Sequence, residues 1–357
     1  PVFGLHLLVN PVLAHLADML FQLHLLLSER DPDLGVGEQL GLGGRVLFGV
    51  GAGWNLGNQL ESTVNGYPSE TAWGNPTVTQ ALIDRVRDSG FKTIRIPVSY
   101  LTHIGPGPNY TVNASWLNRL QEVVNYAYNR GLYVLINMHG DGYKTISGSW
   151  LICDSSAQTE IKAKYQKVWQ QIASRFQGYD QHLILESMNE EFTGQYGQPT
   201  QPCYSNINSY NQIFVDTVRK AGGNNSSRWL LIPGWNTNID YTAGNYGFVL
   251  PTDRYRSSSV PGNEQRIMIS VHYYAPWDFA GEENGRITQW GRGSTNPAKK
   301  STWGQEDYLD SQLKLMRDVF VSKGYPVVVG EYGSIDKSSF DSSSTTPVKS
   351  SNNEWSS

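Results

Sequence analysis

From residue 46 onward the chain alternates between two apolar patterns. Short runs of aliphatic and β-branched residues occur at 46–58 (VLFGVGAGWNLGN), 91–97 (FKTIRIP), 132–139 (LYVLINMH), 183–191 (LILESMNEE), 229–234 (WLLIPG), 267–274 (IMISVHYY) and 325–333 (YPVVVGEYG). Each fits a strand buried on both faces. Between them, apolar residues recur at helical spacing at 77–89, 115–130, 159–176, 207–221 and 308–323. Asn113 or Ser115 caps the second helix, and Gly90, Gly131, Gly222 and Gly324 stop four of them. This alternation predicts a parallel sheet with right-handed crossovers. Seven units in roughly 290 residues fit an α/β fold of the (β/α)8 barrel type better than an open sheet.

The two ends break the pattern. Residues 1–45 are rich in Leu and carry three of the seven His, but Pro11, Asp18 and the SERDPD segment interrupt them. No stretch there is long and clean enough to span a bilayer, and no basic region or cleavage site marks a signal peptide. The segment is expected to be atypical, and non-native to the domain. Residues 341–357 are a polar tail of low complexity, leaving 46–340 as the catalytic barrel. No apolar run supplies an eighth strand, so the barrel is expected to be incomplete at its C-terminal end, with an open edge to cover.

Composition narrows the function classes. The net charge is −4 and charged residues make up only 17%. There is no concentrated basic face of the kind that binds nucleic acid. Aromatic residues reach 12%, with 11 Trp and 20 Tyr, and flat rings suit the CH faces of sugars. That balance, with abundant Gly, Asn and Ser, fits a secreted monomer. Cys153 and Cys203 each lie in a polar loop after a predicted strand. A bridge between those loops and two free thiols both fit the sequence. The sequons at Asn109, Asn113 and Asn224 matter only in a host that glycosylates.

Chemistry gathers at the strand ends. A buried strand ending in carboxylates is not explained by packing, because unpaired charge is costly to bury. In parallel α/β proteins the carboxyl ends of strands carry the site. The strand ends supply Arg95, His139, Asn189 with Glu190, Trp235, His272 with Tyr274, and Glu331; Trp277 follows just after Tyr274. Glu190 and Glu331 form a carboxylate pair suited to glycoside hydrolysis. Arg95 is the cation expected beside the ionised member. Glu186 shares a face with Glu190 but lies deeper, and Glu191 is expected to point away. The Gly-rich stretch at 49–57 lacks the following helix and Lys-Ser/Thr pair of a nucleotide loop. No local ligand pair such as HExxH supports a metal site at His139, His272, Glu190 and Glu331, so no metal or other cofactor is expected.

These residues resemble glycoside hydrolase family 5, the cellulase-type retaining glycosidases. The segments GWNLGNQLE, ETAWGNP, GFKTIRIPVSY, VLINMHGDG, ESMNEE, HYYAPWDF and VVVGEYG stand in the family's order across residues 48–340, and the nearest members are bacterial-type endo-β-1,4-glucanases. The resemblance implies a (β/α)8 barrel, a β-glucan polysaccharide substrate and no cofactor. It makes Glu190 the acid/base and Glu331 the nucleophile. It has Arg95 hold Glu331, Asn189 bond the sugar 2-hydroxyl, and His272 and Tyr274 orient substrate and nucleophile. His139 lines the same subsite.

Three departures stand out. Gly140 replaces a second His after His139, Glu191 replaces the Pro that commonly follows the acid/base, and the eighth strand with its Trp platform has no counterpart. Two other readings accompany the β-1,4-glucanase. One is a β-glycanase acting on xyloglucan, mixed-linkage glucan, mannan or xylan. The other is an inactive fragment that binds carbohydrate.

Overall fold

The computed structural model describes residues 49–345, except 263, 284, 339 and 340. The N-terminal segment 1–45 and the polar tail beyond 345 lie outside the described residues. Two compact units are formed. Among the described residues, the larger runs to His272 and includes Lys314–Gly330; the smaller comprises Tyr273–Leu313 and the described residues from Glu331 to Thr345.

The larger unit holds a parallel sheet in which strand order follows sequence order. Its seven strands are β1 (Gly53–Asn55), β4 (Thr93–Ile96), β5 (Tyr133–Ile136), β6 (Leu183–Glu186), β7 (Leu230–Pro233), β8 (Ile267–Tyr273) and β9 (Val327–Tyr332). A short antiparallel pair, β2 (Thr63–Val64) and β3 (Tyr67–Pro68), lies in the loop after β1 and was not expected from the sequence. All residues of β4, β5, β6 and β7 are buried. That is the two-sided burial of a sheet covered by helices, and it explains why these strands read as unbroken apolar runs. Among the described residues the sheet has seven strands. Its two ends are linked by a side chain: Asn55 Nδ2 on β1 donates to the Gly330 carbonyl on β9 at 2.9 Å.

The helices follow the expected signals. Thr79 caps α1 (Gln80–Asp88), its hydroxyl accepting from the Leu82 N–H at 3.3 Å. Asn113 caps α2 (Ala114–Tyr128), accepting from Ser115 and Trp116 at 2.9 and 3.1 Å. Gly90 and Gly131 follow these helices at φ +100 and +77, a conformation that a Cβ disfavours. The long helices α3 (Gln158–Arg175) and α4 (Cys203–Lys220) bury Tyr165, Trp169, Tyr210 and Phe214. None of the described helices is long and apolar enough to cross a membrane.

Register divides the inward face of the sheet into layers. Tyr133, Leu135, Ile184, Leu231 and Met268 form an apolar cluster with Trp229. Arg95 pairs in register with both Asn55 and Leu135, and Glu186 stands two residues beyond Ile184. Side chains alternate with period two, so Asn55, Arg95, Asn137, Glu186 and Ser270 share the face of the apolar cluster. The polar residues thus belong to the sheet interior.

In the smaller unit Phe279, Trp290 and Leu309 form a separate apolar cluster with Tyr273, Ile287 and Leu313. The first residues after 340 are tied to it: Lys299 Nζ donates to Asp341 at 2.7 Å and the Thr345 N–H to the Thr288 carbonyl at 2.9 Å. Polarity at 341–345 therefore reflects specific hydrogen bonding.

The two cysteines are joined. Cys153 and Cys203, 50 positions apart in sequence, form a disulfide with Cα atoms 4.6 Å apart. Closing a loop of that length removes roughly 4 kcal/mol of unfolded-state entropy in the chain model. A Cys153→Ser, Cys203→Ser variant is expected to unfold about 2–4 kcal/mol more easily in denaturant titrations, and unchanged stability would contradict a constrained native bridge.

Candidate active site

In the larger unit, β1, β4, β5, β6 and β8, with the segments that follow them, feed one connected network. Arg95, only 3% exposed, sends Nε to Glu186 Oε2 at 2.7 Å, and Glu186 is fully buried. The same guanidinium donates to Asn55 Oδ1 at 3.1 Å and to Asn189 Oδ1 at 2.8 Å. Ser270 on β8 donates to the other Glu186 oxygen at 2.6 Å. A buried carboxylate accepting from both a cation and a hydroxyl is compensated on each oxygen, which is what makes its burial tolerable.

One layer further out lies Glu190, with 21% of its side chain exposed. His272 Nδ1 stands 2.7 Å from its Oε1, and the Tyr143 hydroxyl donates to its Oε2 at 2.7 Å. Tyr143 in turn accepts from Asn189 Nδ2 at 3.0 Å. His139 Nε2 lies 3.4 Å from that same nitrogen, and its Nδ1 lies 3.2 Å from Asn137 Nδ2. When Glu190 is ionised it can only accept, so His272 Nδ1 carries the shared proton. When Glu190 is protonated, that hydrogen bond can reverse if the tautomer changes.

In the smaller unit, Tyr274 donates its hydroxyl proton to Glu331 Oε2 at 3.0 Å. Trp277 stands edge-on to Tyr274, with ring centroids 6.4 Å apart, and is 53% exposed. An exposed indole beside a tyrosine–carboxylate pair can stack on a flat apolar ligand face.

The structure joins Arg95, Asn189, Glu190, His139 and His272 in one network, and places Tyr274 against both Glu331 and Trp277. Arg95 has a buried carboxylate partner in Glu186, which the sequence left ambiguous. One assignment changes. Trp235 is 1% exposed and packs edge-on against Tyr204 at 5.7 Å, so its ring fills the core and offers no face to solvent. Glu191 is only 2% exposed and turns into the protein. Tyr143, Asn55 and Ser270 were missed. Tyr143 follows the His139-Gly-Asp-Gly turn, and a tyrosine right after a strand-exit turn was the available signal. Asn55 and Ser270 lie inside strands read as apolar runs, where one small polar residue does not stand out.

A parallel barrel with carboxylates at its strand exits, one of them held by a histidine and a tyrosine, has the architecture of a glycoside hydrolase. The comparisons agree. Residues 57–356 match the profile of Cellulase (glycosyl hydrolase family 5). Endoglucanase A of Paenibacillus barcinonensis is 71% identical over 294 residues, which cover 82% of this chain and 74% of that protein. A solved family 5 xyloglucanase from Paenibacillus pabuli superposes with a TM-score of 0.82 at 69% identity, covering 84% of this chain and 83% of that one. A GH5-4 broad specificity endoglucanase from Bacteroides salanitronis matches with a TM-score of 0.75 at 40% identity, over 83% and 77% of the two chains. The chain belongs to glycosyl hydrolase family 5.

The Arg95–Glu186 pair yields a stability test. Arg95→Met alone or Glu186→Leu alone strands a buried charge and is expected to lower unfolding free energy by about 3–5 kcal/mol. The double variant should lose less than the sum of the two. Additive losses in denaturant titrations would show that the two groups do not depend on each other.

Proposed function

We propose that this chain is an endo-acting retaining glycosidase that cleaves β-1,4-glucosidic bonds in β-glucans. The supporting observation is Glu190, a partly exposed carboxyl held by His272 and Tyr143 on its two oxygens. In this reading Glu331 attacks the anomeric carbon while Glu190 protonates the departing glycosidic oxygen. The C–O bond to the leaving sugar breaks and a glycosyl ester forms on Glu331. Glu190, now ionised, takes a proton from water, and that water releases the sugar from Glu331. General acid–base assistance of this kind contributes about 10²–10⁴-fold to the rate.

The neighbours support these roles. The Tyr274 hydroxyl fixes one oxygen of Glu331 and directs the other toward attack. Arg95 fixes the Asn189 amide so that it can meet the sugar 2-hydroxyl, where hydrogen bonds strengthen in the transition state. Trp277 supplies a face for a glucosyl ring.

The substrate is read as a β-1,4-glucan backbone. The likeness to a xyloglucanase at 69% identity favours a cleft that also admits a branched glucan chain. A soluble polysaccharide does not cross membranes, and the Cys153–Cys203 bridge is of a kind that persists in oxidising compartments. Both support a secreted enzyme acting outside the cell.

Incubation with a 2-deoxy-2-fluoro-β-cellobiosyl donor is expected to add one 2-deoxy-2-fluorocellobiosyl residue to the peptide carrying Glu331. Glu331→Gln should lose both labelling and release of reducing ends from xyloglucan and carboxymethylcellulose. Labelling elsewhere would overturn the assignment of the nucleophile. Glucan binding without turnover in the parent chain would favour a binding protein instead.

A further inference from the structure

Glu191 follows the acid/base carboxyl and is used by none of the steps above. It stands where many family members carry Pro, and it is buried. Its Oε1 accepts the Cys153 N–H at 3.2 Å. Its main-chain carbonyl accepts the Asn236 N–H at 2.9 Å. A Cβ placed on Gly142 would overlap its carboxylate, so the turn at Gly140–Gly142 approaches it as closely as a glycine allows. One residue therefore touches the chain leaving β5, the disulfide loop and the chain leaving β7.

The Cys153 peptide is held from its other sides as well. Its carbonyl accepts from Asn206 Nδ2 at 2.9 Å and Gln158 Nε2 at 3.2 Å, and its sulfur is bonded to Cys203 at the start of α4. Lys144 Nζ reaches Asp154 at 2.6 Å, a second tie between the same two loops. Between Gly142 and Lys144 stands Tyr143, whose hydroxyl donates to Glu190.

We propose that Glu191 is a positioning residue for the acid/base: by tying the Gly142 turn to the disulfide loop, it keeps Tyr143 in hydrogen-bond reach of Glu190. Burial pushes the Glu191 carboxyl well above the usual carboxylate range. The Cys153 N–H opposes this, the Asp154 charge adds to it, and Lys144 opposes it. A neutral side chain of the same shape thus preserves the tie. The inference rests on Glu190 being the acid/base, and its test separates the two.

The test compares kcat/KM for cellotetraose, whose leaving sugar needs a proton, with kcat/KM for 2,4-dinitrophenyl β-cellobioside, whose leaving group does not. Both constants report the first bond cleavage on the disulfide-bonded full chain, and their ratio does not depend on the fraction folded. Glu191→Ala is expected to lower the cellotetraose value about tenfold or more and the aryl value by no more than about twofold, since only acid assistance is disturbed. Glu191→Gln should stay near the parent on both. Equal losses on the two substrates, no loss on either, or a glutamine variant that falls like alanine would each overturn the inference. Glu190→Ala run alongside reads the underlying assignment: a substrate-selective loss upholds it, and an unselective loss removes the acid/base role itself.

Discussion

A guanidinium and a carboxylate facing each other inside the sheet set the terms for the rest of the site. Arg95 and Glu186 stand on the inward face, on the same side of the strands as the apolar cluster of Leu135, Ile184 and Met268. Neither charge is tolerable there alone, and each has additional hydrogen bonds that complete its shell. Because Arg95 also holds Asn55 and Asn189, it fixes the amide that precedes Glu190 and orders the side chain that links β1 to β9. The apolar layer stabilises the strands, the ion pair caps that layer, and the reactive groups rest on the cap. The outer layer can then be polar and partly exposed, as proton transfer requires, while its positions are inherited from a rigid interior.

Much of the fold was legible because its strands are buried on both sides. Runs such as YVLI and LLIP allow few other assignments when helices at 3.6-residue spacing separate them. The helix caps at Thr79 and Asn113 and the glycine stops were legible for local reasons, since they answer to single hydrogen bonds and single dihedral angles. The β2–β3 hairpin was not, because two-residue strands carry no periodicity.

Legibility of the site followed the same rule. Groups at the ends of strands were found, because a charge next to an apolar run is conspicuous. Partners within strands were not. Glu186 looked like one acid among four polar residues, and only the fold that brings its carboxylate within 2.7 Å of Arg95 gives it a role. Trp235 shows the opposite error: a tryptophan at a strand exit looks like a sugar platform until Tyr204 is seen to cover it. Glu191 was expected to point away from Glu190, but where it would go was not legible: its carboxyl meets the disulfide loop, a connection that depends on residues nearly 40 positions away.

The central claim is double displacement by two carboxylates, which fixes the configuration of the first product. The most direct measurement is proton NMR of the anomeric region during the first minutes of cellotetraose hydrolysis, before mutarotation. The account requires the newly formed reducing end to appear first as the β-anomer, with the α-anomer growing in slowly. An initial α-anomer would mean a single displacement by water, and Glu331 would then be no nucleophile.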